Sequence, residues 1–236
     1  MTSPARERAT LQQGARQIGV ELAADQIDAL LGYLDILELW RTRMNLVSAR
    51  DRDEVIHRHL IDSLAVAPHL NTALQEIGGD PSAVVDIGSG AGLPGIPLAV
   101  AIPTAQFVLL EPRAKRVSFL QSAVRSCFTW NIDIVRGDVA ALAQARGRGF
   151  QAAVSRATFP PEELPREALA LLVPDGHLFA HTAATFRPGD HESGYRTPPV
   201  VHSYRQPGGG RSSQVVHWQR RGEKTRLADS AVKSGD

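Results

Sequence analysis

The sequence predicts an α/β fold, a doubly wound and mostly parallel sheet behind an N-terminal helical extension. Three observations predict it. From residue 83 onward, short apolar runs alternate with helical patterns, as parallel βαβ units require. The glycine-rich stretch Asp86-Ile-Gly-Ser-Gly-Ala-Gly-Leu-Pro-Gly95 follows the first of those runs and opens a helix. Residues ahead of position 68, by contrast, show helical spacing only.

The elements follow in order. Residues 1–20 are polar and are expected to fray. Ile27, Leu30, Leu31, Leu34 and Leu37 repeat at helical spacing, giving a helix from about 25 to 41. Residues 45–49 read as a linker. Asp51 followed by Glu54 resembles a capping box, and the helix it opens carries Ile56, Leu60, Leu64 and Ala67 and stops near Pro68. Strands are expected over 83–87, 107–110, 132–135, 152–155 and 178–182, with helices over 96–101, 114–128 and 161–172 between them. Two last strands, 200–204 and 214–218, join through Gln206-Pro207-Gly208-Gly209-Gly210. The expected division is a helical extension over 1–80, a sheet domain over 81–221 and a disordered polar tail over 222–236.

Composition narrows the class. Hydrophobic residues make up 43% and charged residues 22% of the 236, with a mean hydropathy of −0.16, which suits one sizeable core. No apolar run approaches the roughly 18–20 residues that a membrane span needs. Arg6, Arg8 and Arg16 lead into polar sequence rather than a signal core. The single Cys127 excludes an intrachain disulfide framework and a cysteine-based zinc site. A cytoplasmic location and a monomer are the expectations. His57 and His59 lie two apart on a helix and face different ways, so no metal site is expected. Net charge is +1, which makes no global case for nucleic acid. The cations are clustered, however: Arg41, Arg43, Arg50, Arg52 and Arg58 in one segment, Arg113, Lys115, Arg116 and Arg125 in another. They form a phosphate-binding surface only if the fold brings them to one rim.

The glycine loop carries the chemistry. Strand, glycine loop and helix N-terminus together let backbone approach a ligand closely and offer free N–H groups. Glu111 ends the next strand, where a carboxylate meets ribose hydroxyls. The residues alone therefore indicate a nucleotide-type cofactor. A dinucleotide loop would read Gly-x-Gly-x-x-Gly; Gly88, Gly90 and Gly92 read Gly-x-Gly-x-Gly, with Asp86 directly ahead. A dehydrogenase stays open at this level, although no hydride-transfer constellation is visible.

That pattern resembles motif I of class I S-adenosylmethionine methyltransferases, which have a Rossmann-like sheet. The resemblance continues at Gly137-Asp138-Val139 and at Ser155-Arg156. It narrows with Trp40, Asn45-Leu46, Arg58-His59-x-x-Asp62-Ser63, Gly92-Leu-Pro-Gly-Ile-Pro97, Lys115-Arg116-Val117-x-Phe119-Leu120 and Ser155-Arg156-Ala157. Together these resemble the RsmG (GidB) family, over about residues 25–180 and in the right order. The resemblance implies a methyltransferase acting on N7 of a guanine in 16S ribosomal RNA of the small subunit, with S-adenosylmethionine as cofactor. It implies cofactor contacts at Asp86, Gly88, Gly90, Gly92, Leu93, Glu111 and Arg156, with Asp138 and Val139 flanking the adenine. Asn45, Arg58, His59, Asp62 and Ser63 would stand near the pocket mouth, and Lys115 and Arg116 would meet RNA. Arg156 and Asp62 are the candidate catalytic residues, Asp62 by stabilising positive charge that develops on the base.

One departure matters. The family usually carries Lys-Gly after the fifth strand, where this chain reads Phe179-Ala180-His181-Thr182-Ala183. Thr182 stands in place of the lysine, unless His181 substitutes for it. A small-molecule or peptide methyltransferase on the same scaffold, or a non-catalytic RNA-binding protein that retains the cofactor, are the alternatives.

Overall fold

The structure, a computed structural model, describes residues 3–44, 46–79, 82–127, 129–207 and 211–222, with the side chains of Thr42 and Arg43 excluded. Asn45 and the expected disordered tail, apart from Gly222, lie outside the described residues.

Residues 3–20 do not fray as expected. Ser3 caps helix α1 (Pro4–Gln17), its hydroxyl accepting from the Arg6 N–H, and Pro4 takes the first turn, where a missing N–H costs nothing. Leu11 and Ala15, four residues apart, face inward, and a Cβ at Gly14 would overlap Ile61. The polar residues around this narrow stripe hid it. Helix α2 (Ala24–Met44) follows. The segment expected as one helix is three pieces: α3 (Arg52–Val55), capped by the Asp51 carboxylate on the Glu54 N–H, a π-helical stretch Ile56–Ile61, and α4 (Asp62–Leu64). Pro68 does not end the helices; it lies in the first turn of α5 (Ala67–Ile77), a position that tolerates proline.

Strands β1 (Ala83–Ile87), β2 (Gln106–Glu111), β3 (Ile132–Arg136), β4 (Phe150–Arg156), β5 (Leu172–Ala183), β6 (Val200–Arg205) and β7 (Ser212–Gln219) form one sheet in the order β3-β2-β1-β4-β5-β7-β6. The first five run parallel, and β7 is antiparallel to both β5 and β6. The central strands are almost wholly apolar because both of their faces are covered. Helices α6 (Gly95–Ala101), α7 (Ala114–Ser126), α8 (Val139–Arg146) and α9 (Leu164–Ala168) connect them. Helix α8 was not expected; the Asp138 carboxylate caps it through the Ala141 N–H. The helix expected over 161–172 shrinks to α9, because Leu172 already belongs to β5.

On one sheet face, Leu11, Leu34, Leu60 and Leu70 from the N-terminal helices share a core with Ile96, Phe107, Phe119 and Val154. Trp40 packs edge-on against Phe119 from that side. The other face is covered by a second core that includes Val85, Leu110, Leu142, Ala168 and Trp218. Each fully buried leucine here is worth about 2 kcal/mol of apolar transfer. The N-terminal helices thus serve as one outer layer of the sheet, and this layer carries residues 46–62 to the carboxyl ends of the strands.

Candidate active site

A cavity of about 930 Å³ opens at the carboxyl ends of β1, β2, β4 and β5, the crevice where open α/β sheets bind ligands. One wall is the loop after β1. Gly88 and Gly90 have positive φ, and a Cβ at Gly88 would overlap Thr158, whose hydroxyl donates to the Gly88 carbonyl. The loop is held from behind. Gly88 and Ser89 donate to the Leu110 carbonyl, and Gly90 donates to the Glu111 carboxylate at 2.9 Å. Arg116 lies 3.7 Å from that same carboxylate oxygen, and the other Glu111 oxygen accepts from the Arg113 N–H.

The free N–H groups expected at the start of α6 are not free. Gly95 donates to Asp86 at 3.0 Å, Ile96 donates to the Gly92 carbonyl, and Pro97 has no N–H. Phosphate recognition at a helix N-terminus depends on such groups, so the start of α6 lacks the feature a pyrophosphate needs. Asp86 is fully buried, its second oxygen has no partner among the described residues, and burial pushes its carboxyl up to about 7.

The opposite wall is built from side chains far apart in sequence. Asp62, at the end of the π-helical stretch, accepts on one oxygen from the Tyr204 hydroxyl (2.6 Å) and the Gln206 amide (2.8 Å). Its other oxygen accepts from Arg156 at 3.3 Å and faces His181 at 3.9 Å. Burial pulls the Asp62 carboxyl up. The charges of His181 (when protonated) and Arg156, with the Tyr204 and Gln206 hydrogen bonds, outweigh burial and hold it below the ordinary range. Arg156 ends β4 and also approaches His59 Nδ1 at 3.4 Å. Directly after it Ala157 adopts φ 56°, turning the chain back toward the glycine loop. Burial, with Arg156 adding to it, lowers His59 to about 4, and burial lowers His181 to about 4. Both rings are neutral at neutral pH, so His181 does not supply the cation that the missing lysine would have carried. Thr182 accepts from Gln214 within the sheet.

Residues 26–187 match the family described as rRNA small subunit methyltransferase G, GidB. The chain belongs to the GidB family. It is 36% identical over 179 residues to the ribosomal RNA small subunit methyltransferase G of Ralstonia nicotianae, covering 76% of this chain and 79% of that one. The protein of the same name from Pseudomonas entomophila is 40% identical over 129 residues, 55% of this chain and 56% of its own length. A solved methyltransferase from Geobacter sulfurreducens shares the fold at 16% identity and a TM-score of 0.52, aligned over 81% of this chain and 88% of that one. The fold is thus a mixed α/β, Rossmann-like methyltransferase fold, and the protein is an S-adenosylmethionine-dependent methyltransferase.

Within this GidB-family chain, the cavity brings together Gly88, Gly90, Leu93, Glu111, Arg116, Arg156, Arg58, His59 and Asp62. Other expected site residues stand elsewhere. Ser63 is fully buried and donates to the His59 carbonyl rather than reaching the pocket mouth, because the helix turns its side chain inward. Asp86 lies behind the loop, and Gly92 packs over Ile96. Asp138 and Val139 do not line the cavity; the first caps α8 and the second is core. Lys115 is exposed on α7 outside the cavity, whereas Arg113 and Arg211 line it. Tyr204, Gln206 and Ser213 were missed. The one signal available was that Tyr204 and Gln206 are two apart at a strand end and so share a face. Among the described residues no group of histidine, cysteine or carboxylate side chains is placed to hold a metal, and no helix is long and apolar enough to cross a membrane.

Proposed function

We propose that this protein transfers a methyl group from S-adenosylmethionine to N7 of a guanine in 16S ribosomal RNA of the small ribosomal subunit. The cofactor, which carries an activated sulfonium methyl when bound, suits the loop described above on chemical grounds. It bears no phosphate, and the N–H groups at the start of α6 are spent internally. It is cationic, and the walls around Gly88, Gly90 and Leu93 carry the Glu111 carboxylate, with Asp86 behind. Glu111 keeps lone pairs for ribose hydroxyls while fixing the loop through Gly90.

Guanine N7 is a lone pair without a proton, so the acceptor needs no general base. The cavity matches that requirement: His59 and His181 sit well below neutrality, and Asp62 is committed to four neighbours. What remains for the protein is to hold N7 in line with the methyl, catalysis by proximity and orientation. Arg58, Arg113, Arg116 and Arg211 on the cavity wall fit RNA phosphates, which position the substrate without reading sequence. The observation that carries the proposal is this pairing of a helix start whose N–H groups are already spent and an arginine-lined cavity without a free base.

The test is incubation of the protein with radiolabelled S-adenosylmethionine and small ribosomal subunits that lack the modification, followed by nucleoside analysis. Labelled 7-methylguanosine is expected. Label in another nucleoside, or in none, overturns the proposal.

A further inference from the structure

We propose that Arg156 and Gln206, bracketed by Asp62, form the edge that reads the acceptor base as guanine: Arg156 donates to O6 and Gln206 Oε1 accepts from N1–H. This rests on the guanine reading above and adds the residues that select the base.

The orientation of the Gln206 amide is dictated by its neighbours. Its Nε2 contacts the Asp62 carboxylate at 2.8 Å and Ser213 Oγ at 3.1 Å. A flipped amide would set two oxygens against each other at the Asp62 contact, so the nitrogen must face Asp62. Both Nε2 hydrogens are then used. The carbonyl Oε1 has no partner among the described residues and is not a buried orphan, and Gln206 lines the cavity. Gln206 therefore presents an acceptor only.

Arg156 presents donors only. It spends one N–H on Asp62 and directs Nη2 at His59, which leaves further guanidinium hydrogens, and it too lines the cavity. The same carboxylate grips both residues, one on each oxygen, so a donor and an acceptor are fixed side by side. Asp62 is itself held by the Tyr204 hydroxyl from 142 residues away.

Guanine carries an acceptor, O6, next to a donor, N1–H. Adenine carries the reverse pair, N6–H₂ next to N1. A fixed donor–acceptor pair accepts the first and sets like groups against each other with the second. O6 also borders N7, so a single Arg156 N–H on O6 leaves the N7 lone pair uncommitted.

The test uses guanosine 5′-monophosphate and its N1-methyl derivative as competitors of small-subunit methylation by the wild-type protein and by Gln206→Met, which keeps length and removes the acceptor. Wild type is expected to favour the unmethylated competitor by about tenfold, and Gln206→Met by less than about twofold. The variant should also lose about tenfold in kcat/KM on small subunits, with its affinity for S-adenosylmethionine unchanged by calorimetry. Equal inhibition by the two nucleotides in wild type, or an undiminished preference in the variant, overturns the inference. If the wild-type protein makes no 7-methylguanosine at all, the functional reading fails first. Product formation with an unaltered Gln206→Met profile condemns this inference alone.

Discussion

The two walls of the cavity are built in opposite ways. The glycine-loop wall comes from one strand–loop–helix unit plus the end of the neighbouring strand, and its working parts are backbone conformation and N–H groups tied to Leu110, Glu111 and Asp86. The facing wall is a side-chain constellation, with Asp62 from the N-terminal helices, Arg156 from β4, His181 from β5 and Tyr204 from β6. The first fixes a shape that few side chains fit. The second fixes a pattern of donors and acceptors that single substitutions can retune. Fold conservation should guard the first wall, and substrate choice should reside in the second.

The largest effect is expected from Gly88→Ala. The residue has φ 72°, and its new Cβ would overlap Thr158. Strain and overpacking each cost about 1–3 kcal/mol, so affinity for S-adenosylmethionine should fall by about 100-fold or more, with a lower Tm. A calorimetric titration near the wild-type Kd would show that the loop wall yields to a Cβ at this position. The facing wall is broken by Arg156→Ala, which leaves the nearly buried Asp62 without its permanent cation. Stability should drop by about 3 kcal/mol, and methyl transfer by about 100-fold. Denaturant unfolding of Arg156→Ala/Asp62→Asn should recover part of that stability, because no buried charge is then left unpaired. Simple additivity would show that the pair is not coupled.

The same division decides what could be read in the sequence. The loop wall was legible because its parts are contiguous: strand 83–87, the glycine spacing and Glu111 follow from local rules. Even there, the start of α6 was misread, since nothing local shows that Gly95 donates back to Asp86 nine residues earlier. Arg58, His59, Asp62 and Arg156 came from a family resemblance, not from geometry. That Asp62 is gripped by Tyr204 and Gln206 could not be read, because it depends on the antiparallel return of β6 and β7 to the edge of a parallel sheet. Helix α1 was lost for a related reason: two inward residues and a glycine amid polar sequence are too little signal without Ile61 to meet them.

Acid should move the two walls in opposite directions. His59 and His181 both have folded values of about 4, burial being the first cause in each, against about 6.5 in an unfolded chain. Between those values the unfolded state binds more protons. Their contribution is therefore complete above about pH 6.5 and is lost as pH falls toward 4. Asp86 has the opposite sign. Raised to about 7, it contributes most below about pH 3.9 and loses that contribution as pH rises through 7. The Tm should climb from pH 4.5 to 6.5, since the histidines outnumber Asp86, and flatten above about pH 7. In Asp86→Asn that climb should steepen, because the opposing contribution is gone. An unchanged slope in that variant would remove Asp86 as the opposing group.

The smallest effect separates two cations only two residues apart. Lys115 and Arg113 look equivalent in the sequence, yet Arg113 lines the cavity and Lys115 lies exposed on α7 outside it. Each phosphate contact contributes about 0.7–0.9 to the slope of log affinity against log salt concentration. Arg113→Ala should therefore lower the salt slope of small-subunit binding by about that amount and weaken binding several-fold at low salt. Lys115→Ala should change neither by more than about twofold in affinity, because a cation outside the cavity reaches RNA only if the chain runs over the outer face of α7. Filter binding across a salt series distinguishes the two paths. Equal slopes lost in both variants would mean that the RNA crosses α7 on its way in, and that the acceptor wall extends beyond the cavity.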